Sequence, residues 1–229
     1  RVLTENTTNF SKIKVWRMAR ALRRGVPVAK IIHQKWFYGL RFYTNKYTLD
    51  PRPDTETLVA AVISDVNHNR GVQILDLGTG TGCIAVALAK NIPNAHVLAI
   101  EKSRGAARVA RKNLNATDSV SVKIGDFTKQ NIIRQPHFDI VVSNPPYIAR
   151  GDARLNTGAM HDPKMALYAT DNGLAAYIAI AKNARTWIKR GGRIYLEIGD
   201  GAGHDVRQIF ITAGWKFVRS EMDLAGIER

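Results

Sequence analysis

One stretch constrains this chain more than any other. Asp76-Leu77-Gly78-Thr79-Gly80-Thr81-Gly82 joins a short apolar run, Val72–Leu77, to a stretch with helical spacing at 82–91. Three alternating glycines between a strand and a helix make a backbone that turns sharply and that a ligand can approach closely. The helix start beyond them offers unpaired N–H groups and a partial positive charge. Such a junction belongs to α/β folds, and the rest of the chain agrees. Short apolar runs at 96–101, Val120–Ile124, Phe138–Ser143, 193–198 and 215–219 read as further strands, and 55–66, 104–115, 174–189 and 204–213 as helices. Gly191-Gly192 stands where a left-handed cap would close the longest of these helices. Strand alternating with helix gives a parallel sheet covered on both faces. Ligands of such sheets bind beyond the carboxyl ends of the strands.

Upstream, the spacing of Phe10, Ile13, Trp16 and Ala19/Arg20 predicts a helix over 9–24, broken by Gly25 and Pro27. Residues 36–49 are rich in aromatic and β-branched types and predict a small hairpin. The expected organisation is a partial helical docking segment over 1–35, a hairpin linker over 36–54 and the α/β domain over 55–229.

The length of 229 residues suits one α/β domain with a small addition. The single cysteine, Cys83, rules out an internal disulfide; it reads as a small buried thiol in a protein of a reducing compartment. No apolar run reaches the ~18 residues of a membrane helix, so no membrane partner is expected. The six histidines lack metal-ligand spacing, so no metal is expected. The chain is read as a monomer. Its formal charge is +15, and residues 1–50 carry 11 Lys/Arg against Glu5 and Asp50, a net +9. That imbalance suits an acidic partner such as RNA, the ribosome or an acidic protein, and equally a solvated basic face.

Two further carboxylates stand at successive strand ends. Glu101, 19 residues after Gly82, can accept from both ribose hydroxyls of a nucleoside. Asp126 can accept from an adenine amino group, with Phe127 against the purine ring. Gly80-x-Gly82-x-x-Ala85 also fits a dinucleotide fingerprint. These residues therefore imply a nucleoside pocket without separating NAD from S-adenosylmethionine.

The fourth strand decides the chemistry. It ends in Ser143-Asn144-Pro145-Pro146-Tyr147. The prolines fix φ and remove two backbone donors while keeping their carbonyls as acceptors. Asn144 adds an acceptor oxygen and Tyr147 an aromatic face, so the site suits a planar NH2 group. Nitrogen of that kind is a poor nucleophile because its lone pair is delocalised. Two acceptors, Asn144 Oδ1 and the Pro145 carbonyl, would hold it in line for attack and stabilise the positive charge that develops on it. An NAD enzyme has no use for this arrangement, whereas a methyltransferase has.

Asp-x-Gly-x-Gly-x-Gly followed by Asn-Pro-Pro-Tyr resembles the class I amino-methyltransferases, which act on DNA adenine, rRNA guanine or protein glutamine. Arg23-Arg24-Gly25-Val26-Pro27, the stretch from Trp36 to Phe42, Asp50-Pro51-Arg52-Pro53-Asp54-Thr55-Glu56, Asp162-Pro163-Lys164-Met165-Ala166-Leu167, Leu196-Glu197-Ile198-Gly199 and Asp223-Leu224-Ala225-Gly226-Ile227-Glu228-Arg229 are similar to the release-factor glutamine methyltransferases. The resemblance covers roughly residues 20–229. It implies a Rossmann-like fold with a mostly parallel seven-stranded sheet, its last strand antiparallel. It implies methyl transfer from S-adenosylmethionine, leaving S-adenosylhomocysteine, to the glutamine of the Gly-Gly-Gln loop of class I peptide-chain release factors. The alternative is the amino group of an RNA or DNA base. The implied catalytic residues are Asn144, Pro145 and Tyr147. The implied cofactor contacts are Asp76, Gly78, Thr79, Gly80, Thr81, Gly82, Glu101, Asp126, Phe127 and Asn144. Substrate contacts would come from Asn144, Pro145, Pro146 and Tyr147, with Arg52, Pro53, Thr55 and Glu56 at the mouth. Asp54 or Thr55 equally suits a helix N-cap. The implied setting is the bacterial cytoplasm, or a mitochondrial matrix. The sequence departs from the family in having Glu101 for Asp, Phe127 for Trp and Asp162 for Glu.

Overall fold

The computed structural model of the protein describes residues 12–67, 70–114, 117–129, 132–133, 137–149 and 159–229. Helix α1 spans Lys12–Arg23 and α2 spans Val28–Ile32. The expected hairpin follows as β1, Gln34–Phe37, and β2, Leu40–Tyr43. Its two-residue turn puts Tyr38 and Gly39 at φ 49° and 71°, the left-handed pair that matches strand twist. Residues 9–11 of the predicted first helix lie outside the described residues.

Helix α3, Thr55–Asp65, leads into the sheet. Its strands are β3, Val72–Leu77; β4, Ala95–Glu101; β5, Val120–Ile124; β6, Phe138–Ser143; and, after a short parallel pair of β7, Ile148–Ala149, and β8, Tyr168–Ala169, the edge strand β9, Ile188–Leu196. Helices α4, Cys83–Asn91; α5, Arg104–Asn113; α6, Lys164–Leu167; α7, Ala175–Asn183; and α8, Gly203–Thr212, complete the elements. The sheet order is β5-β4-β3-β6-β9, every pairing parallel. The chain winds from β3 outward to β5, then returns to the other side of β3 as β6. The switch point therefore lies between β3 and β6.

Both faces of the central strands are buried, as a parallel sheet requires. On one face Ile74, Val97 and Val142 meet α3 and α4 through Val59, Val62 and Leu88, and the hairpin joins this core with Phe37 and Phe42. On the other face Leu75, Leu77, Ile100 and Val141 pack on Ile180, Ala184 and Trp187. Among the described residues no helix is long and apolar enough to cross a membrane.

Among the described residues the sheet has five strands rather than the expected seven, and none of them is antiparallel. Residues 215–219 form no strand and join no sheet. Trp215 donates to the Ala181 carbonyl on α7 (3.0 Å), and Arg219 pairs with Asp65 at the end of α3 (2.9 Å). These anchors hold the segment across an apolar groove of about 240 Å³ from the outer edge of β9. The predicted helix over 174–189 also ends early, at Asn183, with one tight turn to Thr186. Gly191-Gly192 lies inside β9, where the pairing with β6 shifts register between Phe138 and Ile140. A Cβ on Gly192 would come within 2.7 Å of the Asp139 carbonyl, so this glycine admits a neighbouring backbone and caps no helix.

Candidate active site

The glycine loop leaves β3 at the switch point with Gly78, Gly80 and Gly82 at φ 72°, 57° and 81°, the left-handed region that glycine enters without strain. The amides of Gly78 and Thr79 donate to the Ile100 carbonyl on β4 (2.9 and 3.1 Å), which pins the loop to the sheet. A Cβ on Gly80 would meet nothing closer than the Gly78 carbonyl at 3.9 Å. Its lack of a side chain leaves room for a ligand rather than avoiding a neighbour.

Glu101 closes the next strand, 8% exposed. Its Oε2 accepts from Gly80 N (2.9 Å) and its Oε1 from Ser103 N (2.7 Å). Burial raises its pKa, and the Ser103, Gly80 and Lys102 amides pull it back. Each oxygen keeps a lone pair for a ligand hydroxyl. Asp76 stands behind the loop. It is fully buried, and its Oδ2 accepts from Thr79 Oγ1 (2.5 Å). Burial pushes its carboxyl up to about 7 against the Thr79 bond, with the nearby Glu101 charge adding to the rise. Thr79 and Thr81 are buried as well. Burial also pushes the Cys83 thiol up to about 12, beyond nucleophilic use.

After β5, Phe127 packs beneath Gly78, its ring 3.6 Å from where a Cβ there would lie. Asp126, expected to accept from an adenine amino group, lines the cleft and already has protein partners. Its Oδ1 accepts from the amide and hydroxyl of Thr128 (3.1 and 2.6 Å), and its Oδ2 pairs with Lys102 (2.9 Å). Partial burial raises its pKa, but Thr128 and Lys102 outweigh this and hold the carboxyl below the usual range.

At the end of β6 the Ser143 hydroxyl donates to the Leu77 carbonyl (2.7 Å), tying the two strands that flank the switch point. Asn144 follows directly, and its Nδ2 donates to Thr55 Oγ1 (3.0 Å). With its NH2 end held, the Oδ1 end is left as an acceptor. Pro145 is buried and Pro146 half-buried. The Tyr147 ring lies against Gly199, and its hydroxyl reaches the buried Glu197 (3.4 Å). Burial and the Glu197 charge push Tyr147 up to about 12. Tyr147 thus braces the loop from inside.

These elements open onto one cleft of about 940 Å³, lined by Gly78, Gly80, Glu101, Asp126, Phe127, Asn144 and Pro146. Its remaining walls come from Tyr47–Leu49 of the linker and from the segment around α6. The volume, the buried carboxylate at the rim and the open position at Gly80 fit a nucleoside-bearing cofactor. Of the expected mouth residues Pro53 is exposed, and the other three make contacts within the protein. Thr55 is 2% exposed and holds Asn144. Glu56 accepts from the Tyr38 amide in the hairpin turn (2.8 Å), and Arg52 pairs with Asp162 (2.6 Å). Asp54 makes no cap bond and instead pairs with Arg229 (3.0 Å). Sequence reasoning gave no role to Glu197 or to Lys30. Lys30 is buried, with Nζ 2.9 Å from Asp50 and 3.0 Å from Asp162, and it joins α2 to the wall of the cleft. A charged residue inside an apolar run was the available signal at both positions.

The methyltransferase small domain family matches residues 53–162. The release factor glutamine methyltransferase of Aliivibrio fischeri is 35% identical over 231 residues, covering all of this chain and 79% of that protein. The protein of the same name from Streptococcus pneumoniae is 39% identical over 210 residues, covering 90% of this chain and 74% of its own length. Among solved structures, a ribosomal protein L11 methylase from Lactobacillus delbrueckii subsp. bulgaricus shares the fold, with a TM-score of 0.56 at 14% identity over 78% of each chain.

Proposed function

The chain belongs to the release factor glutamine methyltransferase family, and from that premise we propose that it methylates the side-chain amide nitrogen of the glutamine in the Gly-Gly-Gln loop of class I peptide-chain release factors. The cofactor is S-adenosylmethionine, and the setting is translation termination in the cytoplasm. The observation that carries the reading is the Asn144 amide, tethered by its NH2 end to Thr55 at the rim of the cleft.

When bound, S-adenosylmethionine supplies a methyl group on an electrophilic sulfonium. Every other contribution belongs to the chain. The Gly78–Gly82 loop, open at Gly80, and the Glu101 carboxylate would hold the amino-acid and ribose ends, with Phe127 beneath the loop. Asn144 Oδ1 and the Pro145 carbonyl accept from the two N–H groups of the glutamine amide. This fixes the nitrogen lone pair toward the methyl and stabilises positive charge as it builds. Orientation of this kind is worth up to ~7–11 kcal/mol in ideal intramolecular cases, and loss of a single charge-stabilising contact costs about 3–4 kcal/mol. Tyr147 keeps the loop rigid from behind. The basic N-terminal segment is proposed as a docking surface for the acidic partner.

A base amino group presents the same pair of N–H donors, and the basic exposed face of α1 would suit nucleic acid. Mass analysis of a class I release factor after incubation tests the proposal. One added methyl on the Gly-Gly-Gln peptide supports it, and an unmodified factor beside methylated RNA replaces it with the nucleic-acid reading.

A further inference from the structure

Glycine is a poor helix former, yet Gly105 stands in the first turn of α5. It adopts no left-handed φ, so no turn accounts for it. A neighbouring ring does. A Cβ on Gly105 would lie 2.7 Å from Cγ and Cδ1 of Tyr47 and 3.1 Å from its Cβ, inside the separation at which carbon atoms pack. The missing side chain admits the tyrosine.

Tyr47 belongs to the linker between the hairpin and α3, and its turn is firmly held. The Tyr47 amide donates to Asn45 Oδ1 (2.9 Å) and the Thr48 amide to the Asn45 carbonyl (3.2 Å). The buried Lys30 ammonium donates to that same carbonyl (2.9 Å) and to the Thr48 carbonyl. The backbone is thus anchored while the Tyr47 side remains 45% exposed and lines the cleft. An exposed aromatic on so rigid a turn loses little freedom when it meets a ligand.

The position of the ring points to the part of the ligand it would meet. Gly105 lies two residues beyond Ser103, whose amide donates to Glu101 Oε1 (2.7 Å) and whose hydroxyl accepts from Ala106 N (3.2 Å). Tyr47, Glu101, Ser103 and Ala106 all line the cleft. Glu101 is the carboxylate suited to ribose hydroxyls, and an aromatic ring beside it offers apolar contact to a sugar and stacking to a base. We propose that Tyr47 is a cofactor-binding residue, its ring forming an aromatic wall against the nucleoside of S-adenosylmethionine, and that Gly105 seats that ring. The inference rests on the cleft being the cofactor site.

The test measures equilibrium binding by calorimetry, beside thermal melting without ligand. The ligands are S-adenosylhomocysteine and its nucleoside fragment methylthioadenosine, which lacks the amino-acid end. Tyr47→Ala should raise Kd about tenfold for both, the scale of a lost aromatic contact to a nucleoside. Tyr47→Phe keeps the ring and should bind within about twofold of wild type. A purely structural role would lower the melting temperature and leave both Kd values alone. Should Tyr47→Ala melt early, Gly105→Ala decides the matter, because it keeps the tyrosine but pushes its ring aside, and Kd should rise by the same order. Glu101→Ala serves as the control for the site. Wild-type Kd in Tyr47→Ala and Gly105→Ala, alongside weakened binding in Glu101→Ala, would overturn the inference and leave the cofactor site standing. Weakened binding of S-adenosylhomocysteine alone would also overturn it, by moving Tyr47 to the amino-acid end. Wild-type Kd in Glu101→Ala as well would instead bring down the reading of the cleft itself.

Discussion

Asn144 Nδ2 lies 3.0 Å from Thr55 Oγ1, across 89 residues of sequence. That bond joins the end of the fourth strand of the wound sheet to the first turn of the helix that enters it. It makes the acceptor at the cleft a property of the folded domain rather than of its loop. The Asn144→Ala variant should accordingly lose at least about 100-fold in kcat. Cofactor affinity should change far less, because the glycine loop and Glu101 are untouched. Steady-state kinetics beside calorimetry separates the two.

Burial lifts Glu197 to about 7 against the nearby Thr55 hydroxyl and the Arg229 charge, with the Asp54 charge adding to the rise. Tyr147, Tyr177 and Cys83 also feel its charge. An ordinary glutamate would lose its charge only near 4.5; this one loses it as pH falls through about 7. Since the charged carboxylate accepts from the Tyr147 hydroxyl and so steadies the Asn-Pro-Pro-Tyr loop, kcat should rise with pH through that region. The same limb should flatten in Glu197→Gln. A kcat–pH profile of both proteins checks this.

Glu101 holds the Gly80 and Ser103 amides at once. Glu101→Ala should weaken cofactor binding by about 10–100-fold, as the loss of charge-assisted hydrogen bonds implies. Because burial raises its pKa, wild-type affinity should fall on acidification sooner than an ordinary glutamate would allow. Calorimetric titration across pH measures both effects.

Gly173 has φ 90°, and a Cβ there would overlap the Tyr147 carbonyl oxygen. Gly173→Ala must push the Asn-Pro-Pro-Tyr loop aside. A displacement of ~1 Å at the reacting centre costs about 100-fold in rate, so kcat should fall by that order while the protein still melts cooperatively.

Lys30 is enclosed by Asp50 and Asp162. Lys30→Met leaves two buried carboxylates short of a partner, a loss of about 3–5 kcal/mol. That corresponds to a melting temperature lower by roughly 6–20 °C for a domain of this size. Differential scanning calorimetry reads it directly.

The parts of the site legible in the sequence are those that local chain order builds. The glycine run, Glu101 at the next strand end and Asn-Pro-Pro-Tyr each follow a strand directly, and the winding of the sheet brings them to one cleft. What stayed hidden depends on residues far apart in the chain. Thr55 and Glu56 read as mouth residues, yet one is buried under Asn144 and the other bonds the hairpin turn, contacts no spacing records. Gly191-Gly192 misled because a helix cap and a strand irregularity ask for the same residue. Asp126 is a different case: Thr128 two residues on is the signature of a side-chain turn, so its engaged oxygens were readable. The seventh strand came from family resemblance alone, and the sixth, read from the apolar run at 215–219, does not form because Trp215 and Arg219 anchor that segment away from β9.

The most direct measurement uses radiolabelled S-adenosylmethionine with three acceptors in parallel: a class I release factor, its Gly-Gly-Gln→Gly-Gly-Ala variant and total RNA. Label on the first alone is the predicted result. Label on RNA with none on the factor, or equal label on factor and variant, would contradict it.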